Sequence, residues 1–150
     1  MEEFNSTIRK RNAYTITADA TIGFVGPPAL TDPTTCQLEV RVSEGVGSVV
    51  LNITRTGNLE ERVGVICYTK AGTASRGQDF HPRPNNAPSR VEFQPNETTA
   101  QCRVEIVDDT LHEITERFLV LLGAVRGKAS VNTSTSPLCV YLQFDRNDSK

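Results

Sequence analysis

Seven short segments of this chain alternate apolar and polar residues with a period of two, and this alternation constrains the fold more than any other feature. In 36–42, Leu38, Val40 and Val42 oppose Gln37, Glu39 and Arg41. In 48–54, Val49, Leu51 and Ile53 share one face while Asn52 points the other way. Segments 63–69, 90–93, 100–107, 117–122 and 138–144 follow, divided by Gly, Pro and Asn turns. The stretch "DTLHEITERF" allows one helical turn at most, because it is short and carries β-branched Ile114 and Thr115. Half-apolar strands need a second sheet to cover them, so the pattern predicts an all-β fold, a seven-stranded antiparallel β-sandwich, with a small open barrel as the alternative. A chain of 150 residues buries enough apolar area, at about 25 cal/mol per Å², to offset its conformational entropy.

The boundaries follow from composition. Residues 1–34 read as a tail or the remnant of a preceding module, containing "TITADATIGF", a possible strand, and the Pro-rich break "VGPPALTDP". Residues 35–145 form the domain and 146–150 a C-terminal tail. A net charge of −2 argues against a sequence-independent nucleic-acid binder. No apolar run approaches the roughly 20 residues of a membrane span, and the N-terminus lacks the apolar core of a signal peptide.

Five N-x-S/T sequons, at Asn5, Asn52, Asn96, Asn132 and Asn147, point the other way. They are the candidate glycosylation sites and imply a secreted chain. The expectation that reconciles the two is a segment of a larger secreted precursor whose signal lies upstream.

Four cysteines, at 36, 67, 102 and 139, form no C-x-x-C pair, which disfavours a structural zinc site. Cys67 shares a face with Val63 and Val65, and Cys102 with Val104 and Ile106. Both therefore point into the core from different strands, as an inter-sheet disulfide requires; two buried free thiols are the other reading. Cys36 with Cys139 would then tie the first strand to the last, although Cys139 is out of phase with Leu138, Val140 and Leu142.

The stretch "VEIVDDTLHEITERFLVLL" crowds Asp108, Asp109, Glu113 and Glu116 into nine residues. Either this is a solvated turn, or a cation relieves the repulsion. Glu116 is as well explained by a surface ion pair as by a ligand role.

Three separated motifs, "VSEGVGSVVLNITRTGN", "GTASRGQDF" and "VDDTLHEITERFLVLL", together resemble the Calx-beta domain over about residues 38–144. The resemblance implies a seven-stranded antiparallel sandwich that binds Ca²⁺ in loops at one end. Carried over by motif, the ligands are Glu44, Asp79, Asp108 and Asp109. The chain departs from the family pattern at Asn58, at His81-Pro82-Arg83 and at Thr110, where acidic residues are often found, and Arg83 adds a positive charge. Fewer carboxylates imply weak binding, about 10⁻⁴–10⁻³ M as in extracellular modules.

With its cysteines and sequons, the chain most resembles the extracellular copies in Fras and Frem basement-membrane proteins. That likeness implies a structural module supporting cell–matrix adhesion, with other matrix or cell-surface proteins and neighbouring modules as partners. A calcium-sensing regulatory domain of exchanger type is the alternative. Catalysis is not expected: His81 and His112 are the only histidines and neither sits in a catalytic motif.

Overall fold

A computed structural model describes residues 19–74, 79–108 and 114–143 of the chain. Two sheets face each other. The four-stranded sheet holds β1 (Ala20–Phe24), β3 (Ser48–Thr56), β6 (Thr99–Glu105) and β8 (Ala129–Val131), in the order β6-β3-β1-β8. The five-stranded sheet holds β2 (Leu38–Ser43), β4 (Val63–Ala71), β5 (Arg90–Phe93), β7 (Glu116–Arg126) and β9 (Leu138–Gln143), in the order β2-β9-β7-β4-β5.

All seven expected strands are present, as β2 to β7 and β9, and two more complete the body. β1 comes from the segment expected as a tail. Its Ala20, Ile22 and Phe24 are buried, and it pairs centrally between β3 and β8. β8 has three residues, too few for a period to register in the sequence. Five strand pairings are antiparallel, whereas β1–β8 and β2–β9 run parallel. Both parallel pairs join strands far apart in the chain, where no hairpin constrains direction.

The core lies between the sheets and follows the alternation. Val49, Leu51 and Ile53 of β3 meet Phe118 and Val120 of β7 in one buried cluster. Cys67 of β4 and Cys102 of β6 are joined by a disulfide, so one covalent link crosses the sandwich.

β9 is covered on both faces, with Leu138 to Leu142 all buried. The reason is a strap formed by residues 25–37. Ala29 N donates to Gln37 O, and Glu39 N donates to Pro27 O, so the strap also covers the outer edge of β2. A second disulfide, Cys36–Cys139, fastens it, and Ala29 and Tyr141 make a small separate core there with Leu119. Arg117 reaches out of β7 to donate to Asp32 at 2.9 Å and to the Tyr141 hydroxyl at 3.4 Å. Asp32 also accepts from Thr34. These bonds, Arg117 foremost, hold the Asp32 carboxyl down at about 2.

At one pole Ser43 of β2 stands beside Gln143 of β9, Ser48 of β3 opposes Glu105 of β6, and Glu116 of β7 opposes Leu142 of β9. At the other pole, buried Arg55 on β3 donates to the carbonyls of Gln94, Glu97 and Glu61, tying the β5–β6 turn down. Gly57 follows with φ +89°, and a Cβ there would stand 2.7 Å from Asp19 O, so only glycine fits the turn.

Candidate metal centre

Two loops and the start of β7 converge on the first pole, and each loop is fixed by contacts with neighbouring strands. After β2 the chain makes a single 3-10 turn, Glu44–Val46, started by Ser43, whose hydroxyl accepts from Gly45 N. Gly47 then accepts from Ile106 N at 2.9 Å, which binds this turn to the end of β6. Glu44 is thereby folded inward and is only 3% exposed.

The loop after β4 leans on β7. Thr73 Oγ1 accepts from Arg117 N, and Ala74 N donates to Arg117 O, both at 2.8 Å. Gly72 passes so near that a Cβ would lie 2.6 Å from Arg117 O. The Gly72-Thr73-Ala74 motif is thus a clasp on the strand that begins with Glu116.

Farther along, Asp79 O accepts from Val107 N and His81 N donates to Glu105 O, zipping the loop to the end of β6. Phe80 is fully buried and stacks on Phe118, with ring centroids 4.2 Å apart. Because Phe80 follows Asp79 and Phe118 lies two residues after Glu116, this stack holds both carboxylates at one place.

The result is a triad of buried carboxylates, Glu44, Asp79 and Glu116, each offering an oxygen within 4.8 Å of the others. At an effective dielectric near 20, two unit charges at that distance repel by about 3–4 kcal/mol. A calcium ion takes about six to eight oxygens at roughly 2.4 Å, so ligands on opposite sides of it stand about 4.8 Å apart. The triad fits that span. An all-oxygen set suits a hard cation rather than zinc or copper.

The predicted ligands divide. Glu44 and Asp79 are in the triad. Asp108 follows Val107 at the same pole, but its side chain is exposed and is not one of the three. Asp109, with Thr110 and Glu113, lies outside the described residues. Glu116, for which a surface ion pair and a ligand role stood equally, is 9% exposed and joins the triad. The Arg83 guanidinium donates to the carbonyls of Cys67, Ser89 and Arg103. Asn58 lies near the opposite pole, accepting from Glu60 N, and bears on no cation. Of the sequon asparagines, Asn52, Asn96 and Asn132 are exposed, while Asn5 and Asn147 lie outside the described residues.

The Calx-beta domain model matches residues 32–141. The chain belongs to the Calx-beta domain family. This Calx-beta domain is 42% identical over 81 residues to human "FRAS1-related extracellular matrix protein 2", covering 54% of the chain and 3% of that protein. It is 37% identical over 86 residues to human "Extracellular matrix organizing protein FRAS1", covering 57% of the chain and 2% of that protein. To "Sodium/calcium exchanger 1" of Rattus norvegicus it is 39% identical over 90 residues, 59% of the chain and 9% of the exchanger. The chain therefore spans a small fraction of each relative's length. Among solved structures, the apo-form Calx CBD1 domain superposes with a TM-score of 0.68 at 23% identity, over 85% of this chain and 98% of that one. That likeness supports the two-sheet fold alone.

Proposed function

We propose that this Calx-beta domain is a structural and interaction module of a secreted extracellular-matrix protein, one that supports cell–matrix adhesion and carries a weak Ca²⁺ site at one pole. The observation that carries the reading is the buried triad of Glu44, Asp79 and Glu116. Glu44, Asp79 and Glu116 would hold the ion, with Asp108 as an outer carboxylate at the same pole. Bound Ca²⁺ would supply charge neutralisation and a cross-link among β2, the Asp79 loop and β7. β9 ends at this same pole, whereas β1 starts at the other. A cation here would stiffen the pole at which β9 ends.

Two disulfides favour an oxidising compartment, as do exposed sequons at Asn52, Asn96 and Asn132. The likeness to matrix proteins of human origin agrees with this. The second reading, a calcium-sensing regulatory domain, rests on the identity to the exchanger.

Calcium titration separates the two. A matrix module gains thermal stability near millimolar Ca²⁺ without a large change of shape. A sensor saturates near micromolar Ca²⁺ and rearranges its loops. Melting unchanged by either concentration would contradict both.

A further inference from the structure

The outer face of the four-stranded sheet carries a feature that the cation site does not use. β3 turns Val50, Asn52 and Thr54 away from the core, while Val49, Leu51 and Ile53 point in. Phe24 of β1 lies opposite Ile53, and Val25 N donates to Asn52 O at 3.0 Å, which sets Val25 beside Asn52 on the outer face. Val25 is 52% exposed and Val50 37%. The remaining outward positions of β6 are Thr99, Gln101, Arg103 and Glu105, so these two valines are the apolar ground around Asn52.

We propose that Asn52 carries an N-linked oligosaccharide whose first sugar lies across Val25 and Val50. The proposal rests on the reading of the chain as secreted, and extends it to one position and its packing. Asn52-Ile53-Thr54 supplies the acceptor amide and the hydroxyl two residues on. In the transfer, Asn52 Nδ2 forms a bond to the anomeric carbon of the sugar. That carbon's bond to the diphosphate of a lipid-linked oligosaccharide donor breaks, and one amide proton leaves as the diphosphate lipid departs. The linked sugar has an apolar face of its axial C–H groups, and removing the valine side chains from water stabilises the pair.

The other described sequons differ. Asn96 sits in the β5–β6 turn with φ 71°, and Asn132 caps the 3-10 turn Thr133–Thr135 through its bonds from Ser134. Neither has an exposed large apolar side chain within three residues. The consequence is a division of the surface: the β6-β3-β1-β8 face is sugar-covered, and protein partners engage elsewhere.

The test uses the full chain secreted from mammalian cells, read by glycopeptide mass spectrometry. The Asn52 peptide is expected to carry an N-acetylglucosamine-based glycan that Thr54→Ala removes. After trimming to a single sugar, the chain is expected to melt a few degrees above Asn52→Gln. A Val25→Thr, Val50→Thr double variant, still glycosylated, loses most of that difference. Unmodified Asn52 in chains whose Asn96 or Asn132 is glycosylated overturns the proposal and leaves the secreted reading standing. A glycan on Asn52 that gives no difference in melting also overturns it. Protein isolated from its native source with no sugar on any of the three overturns both.

Discussion

Glu116 and Arg117 are neighbours in β7 that serve opposite faces of the five-stranded sheet. The Glu116 carboxylate turns inward to the acidic triad, while the Arg117 guanidinium turns outward and holds Asp32 of the strap at 2.9 Å. The main chain of Arg117 is in turn clasped by Thr73 and Ala74. One strand end thus anchors the acidic pole, the strap and the Gly72-Thr73-Ala74 loop together.

The outward half of this arrangement gives a pH signature. The Asp32 carboxyl is depressed from 3.8 to about 2 in the folded chain. Folding therefore favours its ionised form: the contribution is complete above about 3.8 and fades as pH falls toward about 2. Urea denaturation of wild type and Asp32→Asn should show a stability gap at pH 6 that narrows through that window and closes below it. A gap independent of pH would contradict the ion pair.

The Phe80–Phe118 stack couples packing to the carboxylates. Phe80→Leu keeps most of the volume and should cost about 1–2 kcal/mol. Because Asp79 is then held less firmly, the stabilisation by millimolar Ca²⁺ should shrink as well. Calorimetry with and without Ca²⁺ reads both effects.

The two disulfides should separate by function. On the chain-entropy model, the link between Cys67 and Cys102, separated by 35 residues, is worth about 4 kcal/mol. The link between Cys36 and Cys139, separated by 103, is worth about 5 kcal/mol. Replacing Cys36 and Cys139 by Ser should lower Tm yet leave the Ca²⁺ response of the folded chain intact, since the strap lies on the outer face. Peptide mapping without reductant checks the connectivity directly.

Arg55 predicts a large effect far from any ligand. Arg55→Met leaves the carbonyls of Gln94, Glu97 and Glu61 without their buried donor and should destabilise by about 2–4 kcal/mol. The same substitution should not alter Ca²⁺ affinity, because Arg55 is at the pole opposite the triad.

Strand phase made the sandwich legible, and it also explains what was missed. Inward positions of β7 run Phe118, Val120 and Leu122, and Glu116 falls on the same phase. A carboxylate on a core-facing phase was the available signal for the third member of the triad, but the charge density around it suggested a solvated turn. Asp108 shows the converse: it continues the phase of Val104 and Ile106, but β6 ends at Glu105, and past Ile106 the side chain turns outward. The strap has no period, because Pro27, Pro28 and Pro33 break it. Its trace was in β9, where Cys139 and Tyr141 are apolar on the phase that should have faced water.

Differential scanning calorimetry of the wild type and Glu116→Gln, each in EDTA and in 5 mM Ca²⁺, tests the cation pole most directly. At a dissociation constant near 5 × 10⁻⁴ M, mass action stabilises the wild type by about 1.4 kcal/mol, a rise in Tm of several degrees. Glu116→Gln should lose most of that rise. Equal melting of the wild type in both buffers would contradict the account.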